Sequence, residues 1–468
     1  MTLPLIPRSA PARVLLSPPR PRLRSLPPVQ QDRVPVHALE RSLLERTPSP
    51  LSPEARAAID DLLREAPFSG RASVNSIETH HWGERPRVVA CVPARDETQR
   101  LGASLDSLVQ ALERVDEPTA IVVLINNSAD GSLDEARLWA ARGGMPVLVA
   151  DASLDPVIAN AGHARRLALD LGGLVASRDA VLLTTDADTR VTREWARRLV
   201  GHVRAGAGAA AGMIDVERDE FAALPPRVRE IEATERGLFR EYERTWRLLV
   251  PDSSQALALR VGGASLAVAA EAYRRVGGLP ALEASEDRAM VATMLRHDER
   301  VAFDARLRVR TSCRLDARVA DGMAGMLRGR MACSDPFCDQ DLYTAERFAW
   351  SSLAWRHLRD RHAGGGDPDD ALALARGLGI ETRLLEPCRA QTLGTAWSRV
   401  EAALEPRHRL RASEVASELP RARSLRRLLS ADGPDAPLRV RIASLSHGTV
   451  TTSLPPSMDA AGSAPCLT

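Results

Sequence analysis

The sequence has little of what marks several classes of protein. Aromatic residues make up only 3% of its 468 residues, too few for a surface on which nucleic-acid bases stack. The formal net charge is only +2, because 63 basic residues stand against 61 acidic ones, so no overall field favours nucleic acid. No apolar run reaches the roughly 20 residues of a membrane-spanning helix. We therefore expect a globular protein that has no transmembrane segment and binds no nucleic acid.

The start of the chain and its cysteines indicate a compartment. The first residues are rich in proline and arginine and lack the continuous apolar segment of a signal peptide, which argues against secretion. Six cysteines are scattered through the chain, a spacing typical of reduced thiols rather than of a disulfide framework. Both features predict a cytoplasmic protein.

Composition changes along the chain divide it into five predicted segments. The middle one alternates apolar runs of strand length with amphipathic helical stretches, the pattern of an α/β fold with a largely parallel sheet. The segments are a disordered Pro/Arg-rich arm (1–36), a short helical lead-in (37–86), the α/β domain (87–335), a helical C-terminal region (336–448) and a disordered tail (449–468).

Strands in the middle segment are predicted from continuous apolar runs, and one long helix from an apolar stripe over 226–249. Strands of this composition are buried on both faces, so ligands should gather at their carboxyl ends. The predicted strands cover 87–93, 120–125, 146–149, 180–185, 208–216, 262–268 and 301–312.

Asp186-Ala-Asp188 is the most informative tripeptide. It follows the predicted strand 180–185 directly, where the chain turns out of the sheet. Two carboxylates there suit Mg²⁺ or Mn²⁺, which bind one or two carboxylates together with the oxygens of a diphosphate. A solvated turn is the alternative interpretation.

A second acidic pair, Glu286-Asp287, lies at a predicted helix start about a hundred residues later. Acidic residues at such positions often do no more than stabilise the helix dipole. They also suit a general base that takes the proton of an attacking hydroxyl. Spacing alone does not choose between the two.

Four further groups of residues lie where ligands are expected. Pro93, Arg95 and Glu97 close the first strand, and the turn 126–132 closes the second, so each suits either a ligand or an ordinary turn. Asn160 opens a helix that contains Arg165, a plausible phosphate site or simply a helix facing water. Beyond the last strand, Arg314 and Arg318, near Gly322 and Gly325, suit either a mobile basic loop closing over a diphosphate or an exposed surface.

In this order the elements resemble bacterial family 2 glycosyltransferases of the soluble, non-processive type, which have the GT-A fold. The resemblance covers about residues 87–332, and the order of its motifs is more specific than any one of them. The motifs are Val-Pro-Ala-Arg-Asp-Glu, Asn-Asn-Ser-Ala-Asp-Gly-Ser, Asn-Ala-Gly-His-Ala-Arg-Arg, Thr-Asp-Ala-Asp, Gly-Gly-Ala-Ser-Leu-Ala-Val, Tyr-Arg-Arg-Val-Gly-Gly-Leu, Ser-Glu-Asp-Arg and Thr-Ser-Cys-Arg-Leu-Asp.

The resemblance implies a Rossmann-like mixed sheet flanked by helices and a direct displacement that inverts the anomeric centre of a nucleotide sugar. It assigns Asp186 and Asp188 to a divalent metal and the donor diphosphate, and Asp287 to the base that activates an acceptor hydroxyl, with Glu286 orienting the acceptor. Donor-binding roles fall to Pro93, Arg95, Glu97, Asn127, Asp130, Asn160, Arg165, Asp186 and Arg314, and acceptor-binding roles to Gly262 and Gly263.

Two departures from the family pattern matter. The turn after the second strand usually carries an aspartate pair, and here it reads Asn126-Asn127, which leaves the nucleoside open. The Gln-x-x-Arg-Trp motif and membrane helices of processive members are absent, which argues against a polymer synthase. The region after 335 matches no known pattern, and we considered it as a cover for the acceptor site or a docking surface for a partner.

Two other functions fit parts of the same pattern. A sugar-phosphate nucleotidyltransferase would carry a glycine-rich basic loop after the first strand, and residues 93–97 lack one. A non-catalytic module that binds a sugar nucleotide would not require the second acidic pair, Glu286-Asp287. The glycosyltransferase is therefore favoured over both.

Overall fold

The computed structural model describes residues 51–251, 262–315, 322–386, 392–404, 408–433 and 436–452. The predicted N-terminal arm, the part of the predicted tail beyond 452, and Arg318 lie outside the described residues. The first four residues of that predicted tail belong instead to the last helix described below.

A nine-stranded mixed sheet forms the centre of the described structure, with the strand order β1-β4-β3-β2-β5-β8-β7-β9-β6. Its strands are β1 Ala72–His80, β2 Val88–Ala94, β3 Thr119–Asn126, β4 Val147–Leu154, β5 Val181–Thr184, β6 Thr189–Arg190, β7 Ala209–Val216, β8 Leu266–Ala269 and β9 Val301–Thr311.

The four strands β4, β3, β2 and β5 run parallel, as their unbroken apolar sequences predict. Cys91 of β2 lies opposite Thr184, the last residue of β5, and β2 continues beside β3 to Ala94. Strand β8 runs antiparallel to β5 and therefore begins at this same edge. The carboxyl ends of the parallel strands and the start of β8 thus meet in one place.

Helices cover both faces of the sheet, because each carries an apolar stripe. One face is packed by α1 (Pro53–Arg64), α4 (Ala161–Val175), α8 (Ala270–Arg275) and α9 (Glu286–Arg296). The other is packed by α2 (Leu101–Leu112), α3 (Ser132–Arg142) and α5 (Trp195–Arg204). The expected α/β class with a mixed sheet flanked by helices is confirmed.

The lead-in over 37–86 is not purely helical, which corrects the prediction. Helix α1 lies within it, but Ala72–His80 forms strand β1, antiparallel to β4 at the edge of the sheet. An edge strand with one solvated face needs few apolar residues. The sequence of β1 therefore lacks the continuous apolar run that predicted the inner strands. Residues 37–50 lie outside the described part of the chain.

The C-terminal region is helical, as predicted, and packs on one long preceding helix. Helices α6 (Arg218–Ala223) and α7 (Pro226–Leu249), the long one, follow β7, and α10 (Met323–Ala332) follows β9. Five further helices follow and share two apolar clusters with α7, so the region packs around α7. They are α11 (Ala345–His362), α12 (Asp370–Leu378), α13 (Leu393–Ala403), α14 (Ala412–Ala431) and α15 (Leu438–Thr452).

None of the helices in the described ranges is both long and apolar enough to cross a membrane. Three cysteines, Cys91, Cys313 and Cys338, are buried free thiols. Cys333 is disulfide-bonded and so departs from the reduced thiols that the scattered spacing favoured.

Candidate active site

A cavity of about 690 Å³ opens at the edge of the sheet where the parallel strands end and β8 begins. It receives the ends of β2, β3, β5, β7 and β9, the loop before β8 and the first turn of α9. Twelve of the fourteen residues given site roles in the sequence line it: Pro93, Arg95, Glu97, Asn160, Arg165, Asp186, Asp188, Gly262, Gly263, Glu286, Asp287 and Arg314.

Both acidic pairs therefore reach one cavity, although they lie far apart in the sequence. Asp186 and Asp188 follow β5, and the backbone N–H of Thr189 donates to the carbonyl of Asp186, which closes the turn. Glu286 and Asp287 are the first residues of α9, on the other side of the β8 loop. The parallel β5 and antiparallel β8 bring the two pairs together.

Arg165 of α4 connects the two pairs directly. Its side chain is only 6% exposed, and it donates to Asp186 Oδ1 at 2.6 Å and to Glu286 Oε1 at 2.9 Å. Two more bonds, each 3.1 Å, run to the hydroxyl of Thr184 and the carbonyl of Gly263. Burial alone would lower the pKa of the guanidinium, but the two carboxylates raise it above its ordinary value. Arg165 is thus a permanently charged cross-link within the site.

Asp287 is held by backbone amides rather than by a cation. Its Oδ2 accepts the N–H of Gly263 at 2.7 Å, and its Oδ1 accepts the N–H of Arg288 at 2.7 Å. Ser285, just before it, has a φ of 60° and contributes no side-chain cap to α9. A carboxylate has about four acceptor positions, so both oxygens of Asp287 keep capacity for a further hydrogen bond.

A second arginine, Arg314, lies on the side of the cavity that carries Asp188. Arg314 donates to both carboxylate oxygens of Glu97, at 2.9 Å to Oε2, and lies 3.5 Å from Asp188 Oδ2. Thr311 of β9 also donates to Asp188, at 3.2 Å. Burial raises the pKa of Asp188, and the charges of Asp186 and Glu97 raise it further, to about 7, against the opposing effect of Arg314 and Thr311.

The loop before β8 approaches the acids closely because it carries two glycines. A Cβ on Gly263 would lie 2.5 Å from Arg165 Cζ, and one on Gly262 would lie 2.3 Å from Ile214 Cδ1. The Cβ position of Gly262 is also only 3.7 Å from Asp287 Oδ2. Larger residues at these positions would fill the space beside the second acidic pair.

Two of the predicted site residues, Asn127 and Asp130, do not line the cavity. The amide of Asn127 donates to the carbonyl of Leu154 at 2.8 Å and accepts its N–H at 3.0 Å, which ties the end of β3 to the end of β4. Asp130 accepts bonds from Ser132 within the turn and from Thr98, which follows β2, and these bonds hold its pKa, which burial alone would raise, down at about 2. Both side chains therefore tie the end of β3 to neighbouring loops and strands.

Sequence reasoning missed some residues of the cavity wall. Asn126, the last residue of β3, lines the cavity in place of its neighbour Asn127, and only its position at a strand end hinted at this. Asp339, Gln340 and Arg409 come from the C-terminal region, and no sequence signal linked them to the site.

The side of the cavity that carries Asp186 and Asp188 offers carboxylate oxygens, which suit a divalent cation. Within the described ranges no three His, Cys, Asp or Glu side chains form a complete metal cage, but Mg²⁺ in nucleotide sites commonly uses one or two carboxylates together with substrate phosphates. Burial, followed by the charges of Asp186 and Glu97, raises the pKa of Asp188, and Arg314 only partly offsets them. Asp186 and Asp188 therefore fit such a cation.

Several solved structures resemble the chain, all at low identity. A mannosyltransferase from Pyrobaculum calidifontis, in complex with GDP-Man and Mn²⁺, is 16% identical over 89% of this chain and 96% of its own, with a TM-score of 0.36. Residues 1–349 of S. aureus TarS, with UDP-GlcNAc, are 12% identical over 78% of this chain and 91% of theirs, with a TM-score of 0.37. With TM-scores below 0.5, these similarities carry no weight for this chain's activity.

The family comparison is more direct. No curated protein matches the chain. Residues 89–261 match the sequence model of glycosyl transferase family 2, a segment that contains Arg165, Asp186 and Asp188 and ends before Glu286. The strands of the matched segment end at the cavity. The second acidic pair lies outside that segment and reaches the same cavity from α9. The match covers residues 89–261 only, so this part of the chain is similar to the family 2 glycosyltransferases.

Proposed function

We propose that the protein is an inverting glycosyltransferase, which moves a sugar from a nucleotide sugar to an acceptor hydroxyl in a single displacement assisted by Mg²⁺ or Mn²⁺. One observation carries the proposal: Asp186 and Asp188 face the same cavity as Glu286 and Asp287, and Arg165 joins the two pairs. A site for donor phosphates and a site for a proton thus lie side by side.

The side of the cavity that carries Asp186, Asp188 and Arg314, here called the donor side, suits a nucleoside diphosphate. Asp186 and Asp188 would hold the cation, which when bound neutralises the charge of the departing diphosphate. Arg314 is charged, largely buried and on the cavity wall beside Asp188, where it can bind a phosphate oxygen. Asn126 and Glu97 line the same side and suit hydrogen bonds to the nucleoside.

The acceptor side suits activation of a hydroxyl. The amides of Gly263 and Arg288 fix the orientation of the Asp287 carboxylate, so it accepts a proton without first being reoriented. The hydroxyl attacks the anomeric carbon as its proton passes to Asp287, and the bond to the nucleoside diphosphate breaks on the opposite face. Glu286 pairs with Arg165 instead of pointing to solvent, so it supports the site and leaves the proton transfer to Asp287.

The Asp287→Asn variant tests this proposal. Asparagine keeps the shape and an oxygen for the Gly263 amide but cannot take the proton, so kcat should fall by about 10²- to 10⁴-fold. Donor affinity should stay within a few-fold, because only transition-state stabilisation is lost. Sugar transfer is measured over a panel of nucleotide sugars with Mn²⁺, and donor binding by thermal shift.

Asp134→Asn is the matched control, because Asp134 is 82% exposed on α3 and does not line the cavity. It should transfer sugar at the wild-type rate. Full activity in Asp287→Asn, or an equal loss of donor affinity, would remove Asp287 as the base. Release of pyrophosphate from a nucleoside triphosphate would instead identify a nucleotidyltransferase.

A further inference from the structure

We propose that the C-terminal helical region completes the active site by fixing the helix that carries Asp287, with Arg288 and Asp339 as the positioning residues. The inference rests on the proposed function, since that function makes Asp287 the base. It gives the C-terminal region, which the family match does not include, a part in the reaction.

Three consecutive residues of the first turn of α9 reach three different parts of the molecule. Glu286 pairs with Arg165 on α4, and Asp287 accepts the amide of the loop before β8. Arg288 points the other way, to the segment that leads into the C-terminal region. Because α9 has no side-chain cap from Ser285, these contacts fix where its first turn lies.

The contact made by Arg288 is a double one. Its guanidinium donates to Asp339 Oδ2 at 2.8 Å and to Oδ1 at 3.3 Å, and it lies 3.1 Å from Asp341. The side chains of Arg288 and Asp339 are 28% and 20% exposed, and both line the cavity. Two parallel bonds to one carboxylate restrain direction as well as distance. The pair is therefore suited to holding the turn in one orientation.

Asp339 is itself anchored to the interior. Its backbone N–H donates to Glu235 Oε1 of α7 at 3.0 Å, and Glu235 accepts two bonds, of 2.7 and 2.9 Å, from the buried Arg330 of α10. The N–H of Cys338 donates to the carbonyl of Leu410, which joins this segment to the start of α14. Arg288 therefore pairs with a fixed point rather than with a surface side chain.

The opposite end of α9 is also held by the C-terminal region. The hydroxyl of Thr392 donates to the carbonyl of Arg296 at 2.8 Å, and the N–H of Gly394 donates to Asp298 at 2.9 Å. Gly394 packs so closely that a Cβ there would lie 1.6 Å from the carbonyl oxygen of Leu295. Both ends of the helix thus rest on the same region, which gives that region control over the position of Asp287.

The test compares Arg288→Gln, Asp339→Asn, the double variant and Arg288→Lys with the wild type. Each single variant should lower kcat about 10- to 100-fold, because displacements of the order of 1 Å have effects of this size. The KM for the acceptor and the affinity for the donor should stay within about threefold. The double variant should be no worse than either single one, and Arg288→Lys should recover part of kcat, since it keeps the charge.

Arg426→Gln is the matched control. Arg426 of α14 donates to Glu241 of α7 at 2.8 Å, is 27% exposed, and does not line the cavity. The Arg426→Gln variant should have a kcat within about twofold of the wild-type value. If Arg288→Gln does not fold, the isosteric Asp339→Asn decides the matter.

Several results would overturn the inference. The first is equal kcat values for Arg288→Gln and Arg426→Gln. The second is an effect on the acceptor KM alone, which indicates direct contact with the acceptor. The third is a kcat of the double variant that falls by the product of the two single effects. A wild-type protein that transfers no sugar would overturn the proposed function itself, and the inference with it. An active wild type with an unaffected Arg288→Gln would overturn the inference alone.

Discussion

Replacing Gly263 by alanine tests how firmly Arg165 is held between the two acidic pairs. The added Cβ would lie 2.5 Å from Cζ, 2.6 Å from Nε and 2.7 Å from one terminal nitrogen of Arg165. Ordinary contacts between such atoms are about 3.5–4 Å, so the guanidinium must move by about 1 Å. The backbone of Gly263 is not in the left-handed region, so the change acts through this contact.

The size of the effect follows from what the guanidinium would lose. Its four hydrogen bonds are 2.6–3.1 Å long, and a shift of about 1 Å takes some of them beyond the range of a hydrogen bond. A hydrogen bond to a charged group contributes about 1.5–3 kcal/mol. Losing one or two lowers the free energy of unfolding by about 2–5 kcal/mol. Sugar transfer should fall with it, because Asp186 and Glu286 lose their common partner.

Urea unfolding and steady-state transfer measure the two effects, with Gly173→Ala as the control. Gly173 lies on the same helix as Arg165, and a Cβ there meets Leu182 at an ordinary 3.8 Å. Alanine should be neutral or slightly stabilising at that position, because it favours the helix. If Gly263→Ala unfolds within about 0.5 kcal/mol of the wild type, Arg165 is not held as its contacts indicate, and the reasoning is refuted.

Three further predictions concern other parts of the molecule. Asp188→Ala should abolish Mn²⁺-dependent donor binding in a thermal-shift assay, whereas wild-type activity unchanged by a chelator would discard the metal role. Burial would raise the pKa of Asp304, but hydrogen bonds, first among them that from Arg198, lower it to about 2 from an ordinary value of about 3.9. The stabilisation that these bonds give the folded protein is therefore present above about pH 4 and lost as the pH falls through 2. In urea unfolding, Asp304→Asn should lower the free energy of unfolding by about 2 kcal/mol at pH 7, and this difference should vanish in acid. Gly394→Ala would place a Cβ 1.6 Å from the Leu295 carbonyl oxygen, so the melting temperature and kcat should both fall, and a wild-type melting temperature would contradict the close packing.

The sheet and the first acidic pair could be predicted because their signals are local. A strand buried on both faces needs a continuous apolar run, and β2, β3 and β5 each have one, so polar residues directly after them had to emerge at the sheet edge. Helix α7 was predicted over 226–249 and is observed at Pro226–Leu249, because its apolar stripe repeats at the helical period.

The remaining features depend on contacts between distant residues. Strand β1 is recognisable only by its pairing with β4, and Asn127 is engaged by a residue 27 positions away. Nothing local shows that Arg165 points inward to Asp186 and Glu286 while Arg166, its neighbour, pairs with Asp170. Adjacent helical residues point about 100° apart, so the direction of each depends on how α4 packs on the sheet.

The two acidic pairs divide their work in the same way. In each, the first residue, Asp186 or Glu286, is bound to Arg165. The second residue, Asp188 or Asp287, lies on the cavity wall and makes no bond to that arginine. Under the proposed function, Arg165 fixes the spacing of the pairs through their first members, while Asp188 joins Asp186 in holding the cation and Asp287 takes the proton. A module that only bound a sugar nucleotide would need the first pair alone, so the shared anchoring of both favours catalysis over binding.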